Sequence, residues 1–354
     1  MSAPRRGRAP NAAGWRRTVP GRLLAGGAGV AVLARCTGGP SALDPHGVRA
    51  VQIAADWWGM AIAAAAIWAG VMSLLALALL PRQRGVDQWA LAEDYRETPR
   101  GGLALVVAGG IVMPVIVLGV LAFVGSRALA AQVTPASPTA FEVDVTGHQF
   151  WWEVHYPSQQ ITTANEIHVP VGQSVQLTLH GADVIHSFWV PQLMGKMDLI
   201  PGQTNTTWLR ADAPGVYRGQ CAEYCGLQHA HMAFLVIADP PDQFAAWAAA
   251  QAQPASQPTD PALQDGAQVF ARQGCIGCHA IRYGAGDTGG KIGPDLTHLA
   301  SRGTIAAGTL DNTRGNLGGW IMNSQALKPG NLMPPMPMDG PSLQALLTYL
   351  ESLK

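Results

Sequence analysis

Residues 221–232 read CAEYCGLQHAHM. Two cysteines stand four apart, a histidine follows four later, and a methionine three after that. A disulfide would use Cys221 and Cys225 and leave His229 and Met232 without a role. A zinc site of Cys221, Cys225, His229 and one more histidine satisfies tetrahedral chemistry, but it too gives Met232 nothing to do. Copper takes thiolate, imidazole and thioether together. One cysteine, two histidines and a weak methionine form the mononuclear blue-copper set. A second cysteine lets two thiolates bridge two ions, so that a single electron spreads over both metals and each bond changes little on reduction. The second histidine has to come from elsewhere. His186 in DVIHSFWVP (183–191), read as a loop between strands, is the best candidate. His231 points away if the chain is locally extended. His148, His155, His168, His180 and His298 read as surface or internally satisfied residues.

The surroundings of this loop read as β-structure. FEVDV (141–145) and SVQLTLH (174–180) alternate apolar and polar, and TTWLR (206–210) and AFLVIA (233–238) are further strand candidates between Pro/Gly turns. The pattern suits a sandwich or barrel. A helical patch, DQFAAWAAAQAQ (242–253), and a Pro/Ser/Gln-rich linker, PASQPTDP (254–261), follow.

Beyond the linker, residues 275–279 read CIGCH. In an exported domain this is the c-type haem attachment pattern: Cys275 and Cys278 form thioethers and His279 reaches the iron. A methionine as the opposite ligand raises the potential relative to a second histidine. KPGNLMPPMPM (328–338) offers Met333, Met336 and Met338. Helical stretches open and close this region, PALQDGAQVFARQ (261–273) and SLQALLTYLESL (342–353), with Phe270 and Tyr349 expected where they cross.

Upstream, WWGMAIAAAAIWAGVMSLLALALL (57–80) and GLALVVAGGIVMPVIVLGVLAFVG (102–125) hold no charge. Each exceeds the roughly 20 residues that cross a bilayer, and Pro114 is tolerable in a packed membrane helix. Arg82, Arg84, Arg96 and Arg100 in the connecting loop place that loop in the cytoplasm and both outer ends of the hairpin on the other side. Residues 1–36 read as an arginine-led export signal with the apolar core LLAGGAGVAVLA (23–34). Cys36 stands where a lipoprotein signal would be cleaved, although Arg35 is not the small residue expected before it.

Net charge is zero, but residues 1–49 hold eight arginines and one acid, so the remainder is acidic. Residues 128–253 carry ten acids and three bases, which suits cationic partners and excludes nucleic acid. Five cysteines, as two close pairs and a singleton, make a poor disulfide framework.

Taken with DVIHSFWVP, GHQFWWEVHY (147–156) and DLIPGQTNTTW (198–208), the opening loop resembles subunit II of haem–copper cytochrome c oxidases over roughly residues 50–250. The resemblance implies an all-β cupredoxin domain, a Greek-key sandwich over 138–253, behind a two-helix hairpin at 50–130. It implies a dinuclear copper A centre in which Cys221 and Cys225 bridge and His186 and His229 bind one copper each. Met232 and the backbone carbonyl of Glu223 would be the weak ligands, with the Glu223 side chain reaching a magnesium ion at the boundary with subunit I. Two positions depart from the family. Phe150 stands where a tryptophan usually accepts the electron from soluble cytochrome c, leaving Phe150 and Trp151 as the aromatics for electron transfer. No glutamate lies between Gly101 and Gly125, where many members carry one near a proton pathway.

An all-α class I cytochrome c over 262–354, joined through the linker 254–261, resembles the C-terminal fusion of the bacterial caa3-type oxidases. In the matching cytochrome c domains the iron ligand sits in a KPGxxMP-like stretch, which selects Met333, with Met336 next. This likeness implies an oxidoreductase and proton-translocase subunit of the bacterial plasma membrane, with both redox domains on the outer face. It would take electrons from a cytochrome c or membrane donor, pass them from haem c to copper A, and assemble with subunits I and III, oxygen being reduced to water in subunit I. A short linker would hold the donor domain at roughly millimolar effective concentration.

Overall fold

The computed structural model describes residues 39–80, 100–133, 135, 137–284 and 286–354. The expected export signal with Cys36, and the loop arginines Arg82, Arg84 and Arg96, lie outside the described residues. Helix α1 (Val48–Leu79) and the pair α2 (Arg100–Val107) and α3 (Met113–Val133) form the two apolar rods. Both extend beyond the uncharged runs. A wide turn, Ala108–Val112, joins α2 to α3 immediately before Pro114. Proline has no N–H to donate and its ring crowds the preceding turn, so a widened turn here accommodates it.

The first turns of α1 are not membrane material but an anchor. Arg49 is buried, donates to Gln132 Oε1 at 2.6 Å and to Thr207 Oγ1 at 2.8 Å, and lies over the Trp208 ring. Trp208 in turn donates to the Gln132 carbonyl at 3.1 Å. The outer ends of both rods are thereby fastened to the β-domain. Gly47 is required just before: a Cβ there would lie 2.5 Å from the Arg210 carbonyl oxygen.

That domain is a sandwich of two five-stranded sheets. One runs β3–β2–β1–β5–β8, from β1 (Glu142–His148), β2 (Trp151–Tyr156), β3 (Ile161–Ala164), β5 (Val175–Gly181) and β8 (Thr204–Leu209). The other runs β4–β10–β9–β6–β7, from β4 (Glu166–Pro170), β6 (His186–Trp189), β7 (Met197–Leu199), β9 (Gly215–Cys221) and β10 (Ala233–Asp239). β1 alternates half-buried and buried residues along its length, as one face of a sandwich requires. Trp152, Phe188 and Phe234 meet edge-on or stacked at its centre. Helix α4 (Pro241–Gln251) closes one end by laying Trp247 on His168 at 4.1 Å.

The C-terminal domain is built on α5 (Pro261–Arg272) and α8 (Gly340–Glu351), with α6 (Arg314–Met322) and α7 (Ser324–Leu327) beside them. Asp260 and Asp339 cap α5 and α8 by accepting from the Ala262 and Ser342 amides. Two short hairpins supplement the helices: β11 (Ile281–Tyr283) with β12 (Gly286–Thr288), and β13 (Thr304–Ile305) with β14 (Leu310–Asp311). Phe270 and Tyr349 meet edge-on at 5.9 Å, both buried. The crossing beneath them depends on Gly266, where a Cβ would lie 2.2 Å from the Ala345 carbonyl oxygen and 2.5 Å from Tyr349 Cβ.

Gly266→Ala should therefore destabilise the C-terminal domain. The helix preference for alanine is worth about 1 kcal/mol, whereas overpacking against a backbone atom costs about 1–3 kcal/mol. Thermal unfolding followed at the haem band should show a lower midpoint; a raised midpoint would refute the close crossing.

Candidate functional site

The ends of the 221–232 loop are stitched by the sheet. Cys221 is the last residue of β9 and pairs with Phe188 of β6, its amide donates to the Met232 carbonyl at 3.0 Å, and the Ala222 amide donates to the Ser187 carbonyl at 2.9 Å. His186 stands on β6 as its first residue, not in a loop as the sequence suggested. β-pairing therefore brings a residue 35 positions away to the mouth of the loop.

Five side chains and one carbonyl converge there. Cys221 Sγ lies 3.8 Å from Cys225 Sγ, 3.9 Å from His186 Nδ1 and 3.3 Å from the Glu223 carbonyl oxygen. Cys225 Sγ lies 3.7 Å from both His229 Nδ1 and Met232 Sδ. The sulfurs are too far apart for a disulfide, and both cysteines are free. Cys221, Cys225, Met232 and His186 are buried and His229 is half-buried, whereas His231 is exposed. Among the described residues, the ligand atoms of His186, Cys221 and Cys225 form the one group of three such donors within 4.8 Å of one another.

Electrostatics mark the same spot. The hydrogen bond between the two thiols, with His186 and the backbone around Ser187 and Glu223 assisting, outweighs burial and holds Cys221 below the ordinary thiol range. Cys225, hydrogen-bonded to Cys221 and itself desolvated, is pushed above that range. A buried thiolate among imidazoles and a thioether is the donor chemistry of a soft metal. Copper fits it.

The sequence reading missed Asp183. Its Oδ1 receives His186 Nε2 at 2.8 Å, and its Oδ2 accepts the Gln149 amide at 2.7 Å. Burial opposes ionisation of this carboxyl, but the His186 ring and the Gln149 and Val184 amides prevail and hold it below its usual range. With Nε2 committed, Nδ1 is left facing the thiols. The signal was present as an acid three residues before a candidate ligand. Gly147 is required on the other face, since a Cβ there would meet the His186 ring at 2.9 Å. The Glu223 carboxylate lies 3.6 Å from Lys196 Nζ, so within this chain its neighbour is an ammonium.

The second site is a cavity in the C-terminal domain. Cys275, Cys278, His279, Met333 and Met336 line it together with Phe270, Leu299, Leu317, Ile321 and Leu350. Cys275 and Cys278 stand on and just after a short 3₁₀ turn, Cys275–Gly277. His279 Nδ1 bonds the Pro294 carbonyl at 2.8 Å, which leaves Nε2 for the cavity. Burial pushes this imidazole down, toward the neutral form that binds metals. Gly293 lets the ring sit there, a Cβ at that position falling 2.6 Å from His279 Cε1. A largely apolar cavity with two thiols and a buried imidazole fits haem c. Met338 does not line it. Met333 and Met336 both do, so the cavity wall alone leaves the choice between them to the loop sequence.

Gln149, Phe150, Trp151 and Asn165 of the β-domain line the same cavity. Trp151 stacks on His148 at 4.4 Å, and Trp152 turns inward with its ring 6.0 Å from His186. Gln149 Nε2 donates to the Cys225 carbonyl at 2.5 Å.

Residues 158–239 match the family model for the periplasmic domain of cytochrome c oxidase subunit II, and residues 263–354 match that for cytochrome c. Among curated proteins, cytochrome c oxidase subunit 2 of Alkalihalophilus pseudofirmus is 38% identical over 89% of this chain and 91% of its own length. The same subunit from Bacillus sp. strain PS3 is 38% identical over 60% of this chain and 62% of its own. The solved periplasmic domain of subunit II from Bradyrhizobium japonicum is 31% identical, covering 33% of this chain and 96% of that one, at a TM-score of 0.32.

Asp183→Asn should leave the sandwich folded and weaken metal retention about 10- to 100-fold, the effect typical of losing a ligand's outer partner. Copper remaining after dialysis against a graded chelator measures this; retention equal to the parent would remove Asp183 from the site.

Proposed function

The chain belongs to the cytochrome c oxidase subunit 2 family, and we propose that it relays electrons from a cytochrome c or membrane donor, through a haem on its C-terminal domain and copper A on residues 221–232, to subunit I. It is a membrane-anchored oxidase subunit in which a subunit II domain and a cytochrome c domain share one chain. The observation that carries the finer reading is the convergence of two thiols, two imidazoles, a thioether and a carbonyl in one buried loop.

When bound, the haem and the copper pair supply the one-electron chemistry. The chain's own residues prepare it. Cys221 and Cys225 with their sulfurs, His186 and His229 with Nδ1, and Met232 and the Glu223 carbonyl would together hold the copper. Donor separations are already 3.7 to 3.9 Å, so loading demands little movement of side chains. Burial keeps water from the thiolates. In the C-terminal domain Cys275 and Cys278 would anchor the haem, and His279 and Met333 would hold its iron. Met333 is favoured over Met336 by its place in KPGNLMP, and Asn331 Oδ1 fixes its amide at 2.8 Å.

Outward orientation of both domains follows from the arginine bias of residues 82–100. Oxygen reduction to water and proton pumping belong to subunit I, with subunit III as a further neighbour. No acidic residue lies between Gly101 and Gly125, so this chain offers no carboxylate to a proton pathway there. Magnesium at Glu223 rests on the family resemblance alone and would have to displace Lys196.

Electron paramagnetic resonance of the oxidised holo-protein should give the seven-line pattern of one spin shared by two coppers. A four-line signal, or one copper per chain, would instead indicate a mononuclear copper carrier. Met333→Ala should abolish the methionine–iron charge-transfer band; a surviving band transfers the ligand role to Met336.

A further inference from the structure

Residues 254–261, read from the sequence as a tether, leave the C-terminal domain no freedom to wander. Arg282 donates to the carbonyls of Gln251, Ala252 and Gln253, at 2.9 to 3.0 Å, and so grips the end of α4. Farther along the seam, the buried Glu166 carboxylate of β4 accepts the Gly303 and Thr304 amides and the Thr304 hydroxyl. The tip of the β13–β14 hairpin carries Ala306 and Ala307 at φ of 55° and 56°, a conformation alanine holds only when its surroundings impose it. The tight β13–β14 turn imposes it, and the Ala233 amide of the other domain donates to the Ala307 carbonyl at 3.1 Å.

The closest part of the seam joins the two ligand-bearing loops. Lys328, which opens the methionine loop, is 2% exposed and donates Nζ to the carbonyls of His231 and Ala306, each at 2.9 Å. Gln228, between Cys225 and His229, donates to the Pro329 carbonyl. Burial pushes the Lys328 ammonium down to about 8; an ammonium kept out of water without a carboxylate needs those carbonyls in place. On the far side of the copper loop Phe150 is only 8% exposed. It is held between Gly226, where a Cβ would lie 3.1 Å from its ring, and the cavity that holds Cys275 and His279.

We propose that the C-terminal domain is a docked rather than a tethered donor, that Lys328 is the positioning residue joining the methionine loop to the copper loop, and that the Phe150 face is thereby closed to external electron donors, which must deliver to the C-terminal domain. The kinetic consequence rests on the relay proposed above; the docking itself does not.

Two measurements on the full holo-chain separate them. In Lys328→Met, amide-exchange protection should fall about tenfold or more in 227–231, 304–309 and 328–331 together, because two buried carbonyls lose their donor. The β1–β5 sheet should be unaffected, and Lys328→Arg should recover much of the loss. Glu166→Gln, which weakens a second contact across the seam, should loosen 303–311. Mixed anaerobically with a reduced soluble c-type cytochrome, the parent should reduce its copper only after its haem, whereas Lys328→Met should reduce both in parallel. Protection unchanged in both variants, or lost in Lys328→Met at 328–331 alone, would overturn the docking. Copper reduced ahead of haem in the parent would overturn the closed face. A wild type without a two-copper signal would fail the relay reading while the exchange results still decide the docking.

Discussion

The molecule depends on one backbone hydrogen bond and its ladder. The Cys221 amide on the Met232 carbonyl closes a twelve-residue loop at its base, and β9 against β6 sets that base beside His186. Closing a loop by its own sheet removes most of the conformational freedom that metal binding would otherwise have to remove. The donors are consequently gathered before any metal arrives. Their outer partners are gathered with them, since Asp183 lies three residues before His186 and reaches back to Gln149 of the neighbouring sheet.

Gln149 and Phe150 link this arrangement to the rest of the chain. They follow β1, touch the copper loop through the Cys225 carbonyl and Gly226, and form part of the wall of the C-terminal cavity. A departure from the family that made the electron path uncertain from sequence thus acquires a physical setting. The residue at 150 packs under a second domain of the same chain instead of facing a visiting protein, so its contacts are those of an interior aromatic. The buried polar seam around Glu166, Arg282 and Lys328 satisfies nearly every group it covers, which is the condition for such a seam to hold. The Gln228 Oε1 atom is an exception, buried without a partner.

Membrane attachment follows the same logic of fastening. Arg49 and Gln132 occupy the outer ends of α1 and α3, beyond the apolar runs, and are tied to Thr207 and Trp208. An apolar run read in isolation gives a span its length but not the polar turns that seat it. This is why both helices are longer than the uncharged stretches suggested.

Much was legible in the amino-acid sequence because the chemistry is local. CAEYCGLQHAHM carries four side-chain donors in twelve residues, CIGCH carries its thiols and imidazole in five, and alternation along 141–145 and 174–180 reports a half-buried sheet. Short spacing alone brings such groups together. What lay beyond reach was whatever depends on distant pairing. Asp183 could be seen but its task could not, since that requires knowing that β6 sets His186 beside the loop and within reach of Asp183. Lys328 carries no local sign of its task, because its ammonium bonds the carbonyl of His231, 97 positions earlier in the chain. The linker's composition suggested freedom that Arg282 removes from outside the segment. Residue type and spacing therefore determined which soft and imidazole donors stand close together along the chain; only the tertiary structure decided how the two clusters face each other, because burial and hydrogen-bond partners across a domain seam are set by surfaces that no local pattern encodes.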